Sequence, residues 1–320
     1  MKTALICGIS GQDGSYLAKF LLGRGYRVVG TSRDAQMASF NNLAALGLAG
    51  RVELRSMTLN DFRSVLQVLS SVGPDEVYNF AGQSSVGLSF EQPVETLESI
   101  TVGTLNLLEA IRFIGAPIRL YNAGSGESFG DTPETGASEL TRFHPRSPYA
   151  VAKAAAYWEV ANYREAYGLR ACSGILFNHE SPLRPERFVT RKIVAAACRI
   201  KRGSKEKLSL GNVDVSRDWG WAPEYVEAMW MMLQHEPATD FVIATGESHS
   251  LREFVASVFH HLDLDPGASV DTNPALFRPT EIRYGRGDPS KAKTELGWCA
   301  QAKMDDVTRA MVEAELESTR

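Results

Sequence analysis

A glycine-rich turn near the N-terminus constrains the fold more than any other feature of the sequence. Gly8, Gly11 and Gly14 lie between an apolar run, Thr3–Gly8, and a segment, Ser15–Gly25, in which apolar residues recur at helical spacing. Glycines at such a junction let the backbone turn tightly and approach a pyrophosphate that rests on the helix N-terminus. The turn therefore predicts a dinucleotide site, whose other candidate residues are Ser10, Gln12 and Asp13.

The rest of the first half alternates short apolar runs with helix-period segments, which predicts a parallel sheet with helices on both faces. The runs are apolar throughout, as expected of strands buried on both sides. We therefore predict the α/β class, with a Rossmann-type doubly wound parallel sheet. The predicted strands are Arg27–Gly30, Val52–Met57, Glu76–Ala81, Ile118–Ala123 and Arg170–Leu176, and the predicted helices are Asn60–Val72, Thr101–Phe113 and Pro148–Tyr167.

The regular pattern ends at Asn178, and the chain beyond it is irregular. Asp240–Thr245 is predicted to be one more buried strand, and Ser250 is predicted to begin a helix because Glu253 completes a capping box. We predict two domains: a Rossmann domain over residues 1–177, to which segments around 212–245 return, and a smaller C-terminal domain over 178–320. The smaller domain is expected over the carboxyl edge of the sheet, where such sheets bind ligands.

Composition excludes several classes of partner. The chain of 320 residues has a net charge of -4, which favours neither nucleic acid nor an anionic membrane surface. No apolar stretch approaches the ~20 residues of a membrane helix, and the four cysteines show no metal-ligand spacing. We therefore expect a cytoplasmic protein without a metal site, in which local clusters of arginine and lysine bind any anionic substrate.

The residues after the second strand bear on the choice of cofactor. An acidic residue there binds the ribose 2′-hydroxyl of NAD, whereas an arginine favours the 2′-phosphate of NADP. The sequence has Arg33 followed by Asp34. Arg33 favours NADP, and Asp34 leaves NAD open.

Two segments carry catalytic chemistry. Tyr149 and Lys153 are one helical turn apart on one face, so the ammonium can lower the pKa of the phenol and hold the nicotinamide ribose. Tyr149 is then a general base for a sugar hydroxyl. Ser125 and Glu127 follow the fifth predicted strand: Ser125 can hydrogen-bond the same hydroxyl, and Glu127 suggests a second proton transfer next to a carbonyl. A solvated loop carboxylate is the alternative interpretation of Glu127.

Several segments are more specific than these motifs, above all an asparagine-histidine-glutamate-serine-proline string and an arginine-aspartate-tryptophan-glycine string. On these segments the chain resembles, over almost its whole length, the GDP-mannose 4,6-dehydratases. That family consists of extended short-chain dehydrogenase/reductases with an N-terminal Rossmann domain and a C-terminal substrate domain. The segments include GISGQDGSYLAKFLL, PDEVYNFAGQSSVGLSF, RSPYAVAK, GILFNHESPLR, SRDWGWAPEYVEAMWMML and FRPTEIRYGRGDPSKAKTELGW.

The resemblance implies a reaction and a set of residues. Tyr149 assists oxidation of the sugar at C4 as hydride passes to NADP, and Glu127 removes the C5 proton and returns it as the C6 hydroxyl leaves as water. Return of the hydride to C6 gives a 4-keto-6-deoxy sugar. The implied GDP-sugar contacts are Asn178, Lys192, Arg217, Arg278 and Glu281, with Ser84 and Ser85 near the sugar, and the implied cofactor contacts are Thr58, Leu59, Ala81, Gln83, His179 and Arg184.

Departures from the family leave alternatives open. Gly124 and Gly126 stand where the family has serines beside the catalytic pair, and Ser85 stands where many members have histidine. Extra room there could suit a larger sugar, so a GDP-manno-heptose 4,6-dehydratase is one alternative. A nucleotide-sugar 4-reductase or epimerase of the same fold is another, which would leave Glu127 without a role. A cofactor sensor without catalysis is disfavoured because the tyrosine–lysine pair is present.

The resemblance also implies a homodimer or homotetramer. Dimerisation would use a four-helix bundle formed by Thr101–Phe113 and Pro148–Tyr167 of each subunit. The segment after Arg33, which helps assemble the family's tetramer, departs from the family pattern and leaves the tetramer open. The apolar residues considered for the bundle are Ala154, Ala156, Trp158, Val160 and Ala161.

Overall fold

In the computed structural model, which describes residues 1–318, most of the apolar runs form strands whose side chains are buried on both faces. The strands, in chain order, are β1 (Thr3–Cys7), β2 (Arg27–Ser32), β3 (Glu53–Ser56), β4 (Glu76–Asn79), β5 (Arg119–Ala123), β6 (Arg170–Leu176), β7 (Asn178–Glu180), β8 (Leu208–Leu210), β9 (Ser216–Arg217), β10 (Trp219–Trp221), β11 (Phe241–Ile243), β12 (His249–Ser250) and β13 (Val270–Thr272).

Seven of these strands form one parallel sheet in the order β11-β6-β5-β4-β1-β2-β3. Leu5 on β1 lies opposite Val29 on β2 and Val77 on β4. The strand order reverses at β1, so the β1–β4 junction is the switch point at which such sheets bind ligands. The predicted α/β class with a doubly wound parallel sheet is confirmed.

Helices connect the strands and cover the sheet. No helix within residues 1–318 is long and apolar enough to span a bilayer. The helices are α1 (Gln12–Gly23), α2 (Asn41–Ala45), α3 (Phe62–Val72), α4 (Val86–Glu91), α5 (Pro93–Leu97), α6 (Gly103–Ile114), α7 (Pro148–Tyr167), α8 (Val189–Lys201), α9 (Ala222–Gln234), α10 (Leu251–His260) and α11 (Met304–Glu317).

Each face of the sheet has its own apolar core. Leu17 and Leu21 of α1 and Met229 of α9 pack on one face, and Leu69 of α3 and Leu107 of α6 pack on the other. A separate cluster joins α8, α10 and α11 in the C-terminal part. Helix α9 and strand β11 therefore belong to the sheet layer, although they follow β7 in the chain. The domain boundary at residue 177 stays a prediction.

Several helical regions differ from the expectation, among them α8 and α11, which were not predicted from the sequence. The helix predicted over Thr101–Phe113 begins earlier, because α5 continues through a π-helical turn, Glu98–Val102, into α6. The apolar spacing does not mark this start, since Val94 and Leu97 of α5 are exposed. Helix α9 was not predicted from periodicity because its apolar residues occur around most of the helix, which is largely buried.

Most of the apolar residues on α7 that were considered for a subunit contact are buried inside the chain and cannot contact a second subunit. Ala154, Ala156, Val160 and Ala161 are buried within the chain itself, which corrects the expectation for these four. Trp158 is 63% exposed.

A buried carboxylate joins the amino ends of the central strands. Glu76 is fully buried and accepts hydrogen bonds from Lys2 (2.8 Å), Tyr26 (3.2 Å), Tyr78 (2.8 Å) and Gln234 (3.1 Å). Three of these donors lie on or just before a central strand, and Gln234 lies on α9. Glu76 and its four partners therefore stabilise the end of the sheet opposite the ligand edge.

Candidate active site

The glycine-rich turn lies at the carboxyl end of β1, beside the end of β4. Gly8 has a φ of +80°, and a Cβ atom there would lie 2.9 Å from the Ala81 nitrogen. A Cβ atom at Gly14 would lie 2.6 Å from the Gly8 carbonyl oxygen. Gly11 is the N-cap of α1, and its nitrogen donates to the Gly8 carbonyl oxygen at 3.1 Å. This cradle, which larger residues would fill, fits a dinucleotide diphosphate at the N-terminus of α1.

Asp13, which is half-buried, and His179, which is buried, face each other next to this turn. Asp13 Oδ2 lies 3.0 Å from His179 Nε2, and the Phe177 carbonyl oxygen lies 2.8 Å from His179 Nδ1. Both ring nitrogens face acceptors, an arrangement that suits an imidazolium, which donates from both nitrogens. Burial would lower the pKa of His179, but the Asp13 carboxylate outweighs burial and raises it. Burial would raise the pKa of Asp13, but the charge and hydrogen bond of His179 lower it to about 2.

Further hydrogen bonds fasten β7 to the first turn of α1. Gln12 Nε2 donates to the His179 carbonyl oxygen at 3.1 Å, and Ser181 Oγ donates to Gln12 Oε1 at 2.7 Å. Arg184 donates to the same carbonyl oxygen, and its Nε lies 2.7 Å from Glu180 Oε2. Ser181 and Glu180 were missed as site residues, although the asparagine-histidine-glutamate-serine-proline string contains both.

Strand β5 and helix α7 bring the predicted catalytic residues to the carboxyl edge of the sheet. Ser125 caps a short 3-10 helix, Gly126–Phe129, by accepting a hydrogen bond from the Glu127 nitrogen at 3.2 Å. Lys153 Nζ donates to the Ala123 carbonyl oxygen at 2.7 Å and lies 5.8 Å from the centre of the Tyr149 ring.

The titration of the tyrosine–lysine pair is dominated by burial. Burial raises the pKa of Tyr149 to about 12, although a hydrogen bond with Ser125 opposes that increase. Burial also lowers the pKa of Lys153 to about 8. Burial, and not Lys153, therefore dominates the pKa of Tyr149 in this structure, where the Lys153 ammonium donates to a backbone carbonyl.

Glu127 is linked to the predicted substrate residues by a row of alternating charges. Glu127 Oε1 lies 3.7 Å from Arg217 Nε, and Arg217 Nη2 lies 3.7 Å from Glu281 Oε1. Arg278 Nη1 lies 3.6 Å from the same Glu281 oxygen. Burial is the main cause that lowers the pKa of Arg217 and raises that of Glu281. The structure thus brings three predicted substrate residues next to the predicted catalytic carboxylate.

The other predicted substrate residues lie on separate elements. Asn178 begins β7, and Lys192 on α8 donates to the Ser209 carbonyl oxygen at 2.7 Å. Ser85 is the N-cap of α4, and Ser84 before it is exposed. The contacts of these four side chains with a sugar nucleotide stay predictions.

The remaining predicted cofactor residues lie in the segments that follow β2, β3 and β4. Arg33 follows β2 with its side chain 82% exposed, and its Nη1 lies 3.5 Å from Glu95 Oε1. The Thr58 nitrogen donates to the Ser64 hydroxyl at 3.1 Å, and Leu59 is buried. Gln83 Nε2 donates to the Ser85 carbonyl oxygen at 2.8 Å, which orders the loop after β4.

Two glycines beside the catalytic pair do not open room for a sugar. A Cβ atom at Gly124 would lie 2.9 Å from the Gly174 carbonyl oxygen, and one at Gly126 would lie 3.1 Å from the Phe177 ring. Both positions therefore face the protein interior. The inference of extra space beside these two glycines is wrong, because a sequence does not show the direction in which a missing side chain would point. The part of that inference that rests on Ser85 stays a prediction.

Comparison with known proteins places the chain among nucleotide-sugar enzymes. The sequence model described as GDP-mannose 4,6 dehydratase matches residues 5–311. GDP-mannose 4,6 dehydratase 1 of Arabidopsis thaliana is 48% identical over 99% of this chain and 90% of its own length. GDP-mannose 4,6-dehydratase of Vibrio cholerae is 43% identical over 100% of this chain and 95% of its own. The structure of a Thermus thermophilus UDP-glucose 4-epimerase in complex with NAD superposes with a TM-score of 0.86 at 27% identity, covering 98% of each chain.

The Asp13–His179 pair predicts a pH-dependent dinucleotide affinity. The pKa of His179 is raised from its usual 6.5 in the folded protein, so the pair is intact below that value and is lost as pH rises through the raised pKa. Deprotonation leaves the Asp13 carboxylate unbalanced beside the diphosphate site. We expect affinity, measured by calorimetric titration from about pH 6 to about pH 9, to fall with rising pH.

Two variants test the cause of this dependence. His179→Gln should bind the dinucleotide about tenfold more weakly at the acid end of the range, because the Asp13 carboxylate loses its cationic partner. The double variant Asp13→Asn/His179→Gln should bind more tightly than His179→Gln and show no pH dependence in this range. Equal affinities for the single and double variants would contradict the charge-balance argument.

Proposed function

The chain belongs to the GDP-mannose 4,6-dehydratase family, and we propose on that premise that it converts GDP-mannose to GDP-4-keto-6-deoxymannose with loss of water. The observation that carries the proposal is the convergence of Ser125, Glu127 and Tyr149 at the carboxyl edge of the sheet. Oxidation of a hydroxyl needs one acid–base group, whereas removal of water from the neighbouring carbons needs a second. The proposed enzyme is therefore a hydro-lyase.

Two residues perform the proton transfers. Tyr149, in its phenolate form, takes the proton of the C4 hydroxyl, whose oxygen is held by the Ser125 hydroxyl. A bound nicotinamide cofactor supplies the hydride acceptor at C4 and the hydride donor at C6. The C5 proton becomes acidic once C4 is a ketone, so Glu127 can remove it and deliver it to the C6 hydroxyl, which leaves as water. Lys153 would hold the nicotinamide ribose with the donors that Ala123 does not use.

The GDP moiety would be bound by the charged row next to Glu127. Arg217 and Arg278 both face the Glu281 carboxylate, at distances of 3.7 Å and 3.6 Å that are too long for strong hydrogen bonds. Guanidinium groups bind phosphate oxygens in a bidentate manner, which suits a diphosphate. Lys192 and Asn178, on neighbouring elements, complete the proposed GDP contacts.

The alternatives have less support than GDP-mannose. A GDP-manno-heptose was suggested by Ser85 and by the room expected beside Gly124 and Gly126, and both glycines face the interior. A 4-reductase or epimerase would leave the contact between Glu127 and Arg217 without a role. We therefore propose GDP-mannose as the substrate.

Replacement of the second acid–base group should stop the reaction halfway. We expect Glu127→Gln to lower the rate of dehydration at least ~100-fold, because C5 deprotonation loses its base. C4 oxidation should persist, so reduced cofactor should accumulate in a single turnover with GDP-mannose. Mass spectrometry and NMR of the sugar nucleotide would detect the wild-type product as loss of one water and appearance of a C6 methyl group.

The matched control for this variant is Glu134→Gln, which changes an exposed carboxylate in the following loop. It should dehydrate GDP-mannose at the wild-type rate. Full dehydratase activity of Glu127→Gln would contradict the assigned role, and a wild-type protein that leaves GDP-mannose unchanged would contradict the proposed substrate.

We propose NADP as the preferred cofactor. A similar epimerase was solved with NAD, which supports a nicotinamide dinucleotide in this fold. Arg33 follows β2, and its contact with Glu95 is long and exposed, so its charge is available to a 2′-phosphate. Asp34 beside it leaves NAD as the alternative.

Arg33→Ala should change cofactor preference. We expect NADP affinity to fall about tenfold while NAD affinity changes little, because only NADP has the 2′-phosphate. Calorimetric titration with both dinucleotides measures the ratio. Arg27→Ala is the matched control, since Arg27 lies at the other end of β2 and pairs with Glu53. An unchanged ratio in Arg33→Ala would contradict the preference for NADP.

We also propose a homodimer formed through the outer faces of α5, α6 and α7, with a homotetramer as the alternative. Large apolar side chains are exposed along these helices and on the π-helical turn between α5 and α6, where water contact is unfavourable. A second copy of the same face would bury them as a four-helix bundle. The exposed residues are Val94, Leu97, Val102, Phe113, Val151, Trp158 and Tyr167.

Trp158→Glu should dissociate the proposed dimer. A charge placed in the middle of this apolar face would be buried without a partner, so we expect monomers in sedimentation velocity at concentrations where the wild-type protein is dimeric. Phe62→Glu, which changes a partly exposed aromatic residue on α3, should leave the assembly unchanged. A Trp158→Glu protein that sediments like the wild type would place the interface elsewhere.

The cytoplasm is the proposed location. The four cysteines are free thiols in the structure, and reduced cysteines are typical of that compartment.

A further inference from the structure

One buried carboxylate outside the predicted site ties together the segments that carry the substrate residues. Asp218 lies between β9 and β10 and is fully buried. Its Oδ1 accepts hydrogen bonds from the Thr245 nitrogen (2.9 Å) and the Thr245 hydroxyl (2.7 Å). Its Oδ2 accepts from the nitrogens of Gly246 (2.9 Å) and Gly287 (3.4 Å). One side chain thus joins three segments that are distant in the chain.

The first of these segments carries Arg217, the residue before Asp218. Arg217 Nη1 donates to the carbonyl oxygens of Ser216 and Ile282, both at 2.9 Å. These two bonds orient the guanidinium within the molecule. They leave Nε facing Glu127 and Nη2 facing Glu281, each at 3.7 Å.

The second segment is the strap, which we define as residues 277–288, and it carries Arg278 and Glu281. The strap runs beside β9, because the Ser216 nitrogen donates to the Arg283 carbonyl oxygen at 2.8 Å and the Gly285 nitrogen donates to the Ser216 carbonyl oxygen at 3.0 Å. The strap ends against the sheet at Gly287, where a Cβ atom would lie 2.3 Å from Ala244 Cβ.

The third segment follows β11 and anchors the other two to the sheet. Thr245 and Gly246 follow this strand after Ala244, and β11 is paired with β6. Arg286 of the strap donates from Nε to the Gly246 carbonyl oxygen at 2.8 Å, which supports the same junction. The position of Arg217 relative to the sheet therefore depends on the contacts that Asp218 makes.

The chemistry of the junction requires a carboxylate. All four partners of Asp218 are donors, and an ionised carboxylate is an acceptor at both oxygens. An asparagine in the same place would present an NH₂ group to at least one backbone N–H in either orientation of its amide. Burial raises the pKa of Asp218, and the hydrogen bonds from Thr245, Gly287 and Gly246 oppose that increase.

We propose that Asp218 is a positioning residue, which sets the geometry of the Arg217–Glu281–Arg278 group for the diphosphate of the substrate and the distance of Arg217 from Glu127. The inference rests on the proposed function for the identity of the ligand. The geometry of the junction itself does not depend on which sugar the diphosphate carries. Loss of this junction should therefore weaken binding of any GDP compound.

The test compares two buried carboxylates at opposite ends of the same sheet. Asp218→Asn should bind GDP at least about tenfold more weakly in calorimetric titration, raise KM for GDP-mannose by a similar factor and leave dinucleotide affinity unchanged. Glu76→Gln is the matched control, since Glu76 also accepts four hydrogen bonds but lies at the amino end of the strands. It should lower the thermal midpoint while GDP affinity stays at the wild-type value.

The outcomes separate positioning from general stability. Wild-type GDP affinity in Asp218→Asn, or an equal loss of affinity in Glu76→Gln, would overturn the proposal. If Asp218→Asn does not fold, Thr245→Val removes one of the four donors with little change of volume and should weaken GDP binding by a smaller factor; unchanged binding would overturn the proposal. Because GDP itself is the probe, a failure to turn over GDP-mannose would count against the proposed function and not against this role.

Discussion

The close approach of three backbone segments at the glycine-rich turn is the constraint on which the rest of the molecule depends. The end of β1, the end of β4 and the first turn of α1 meet where Gly8 and Gly14 have no Cβ atoms, and a methyl group at either position would overlap with backbone atoms. This contact fixes α1 against the carboxyl edge of the sheet at the switch point. The catalytic residues after β5 and the strand β7 are then held next to the same helix terminus.

Most of the sheet could be predicted from the sequence because its strands other than β3 are largely apolar runs, buried on both faces and separated by turn residues. The helices were less predictable where their apolar residues do not form one buried stripe. Helix α9 is apolar around most of its surface and packs in the interior, whereas Val94 and Leu97 of α5 are exposed. In both cases tertiary contacts determine where the helix forms, and the local sequence pattern does not contain them.

The site was predictable where its residues are close in sequence, as with Tyr149 and Lys153 on one turn of α7. Contacts between distant segments were not: the pairing of Asp13 with His179 and the contacts of Asp218 with Thr245 arise only in the folded chain. The pKa of Tyr149 could not be anticipated either, since it depends on burial that outweighs the hydrogen bond with Ser125. The space beside Gly124 and Gly126 could not be predicted either, because the atoms that fill it belong to other elements of the fold.

The charges at the site explain how a protein with a net charge of -4 can be suited to anionic ligands. Arg217 makes its short hydrogen bonds to two neutral carbonyl oxygens, at 2.9 Å, and faces the carboxylates of Glu127 and Glu281 at 3.7 Å. Neutral acceptors orient the guanidinium without cancelling its charge, and the more distant carboxylates reduce the cost of burying it. A phosphate oxygen that approaches Arg217 therefore competes only with the long ion pairs to Glu127 and Glu281. The Arg217 guanidinium is thus fixed in orientation while its charge stays available to the phosphate.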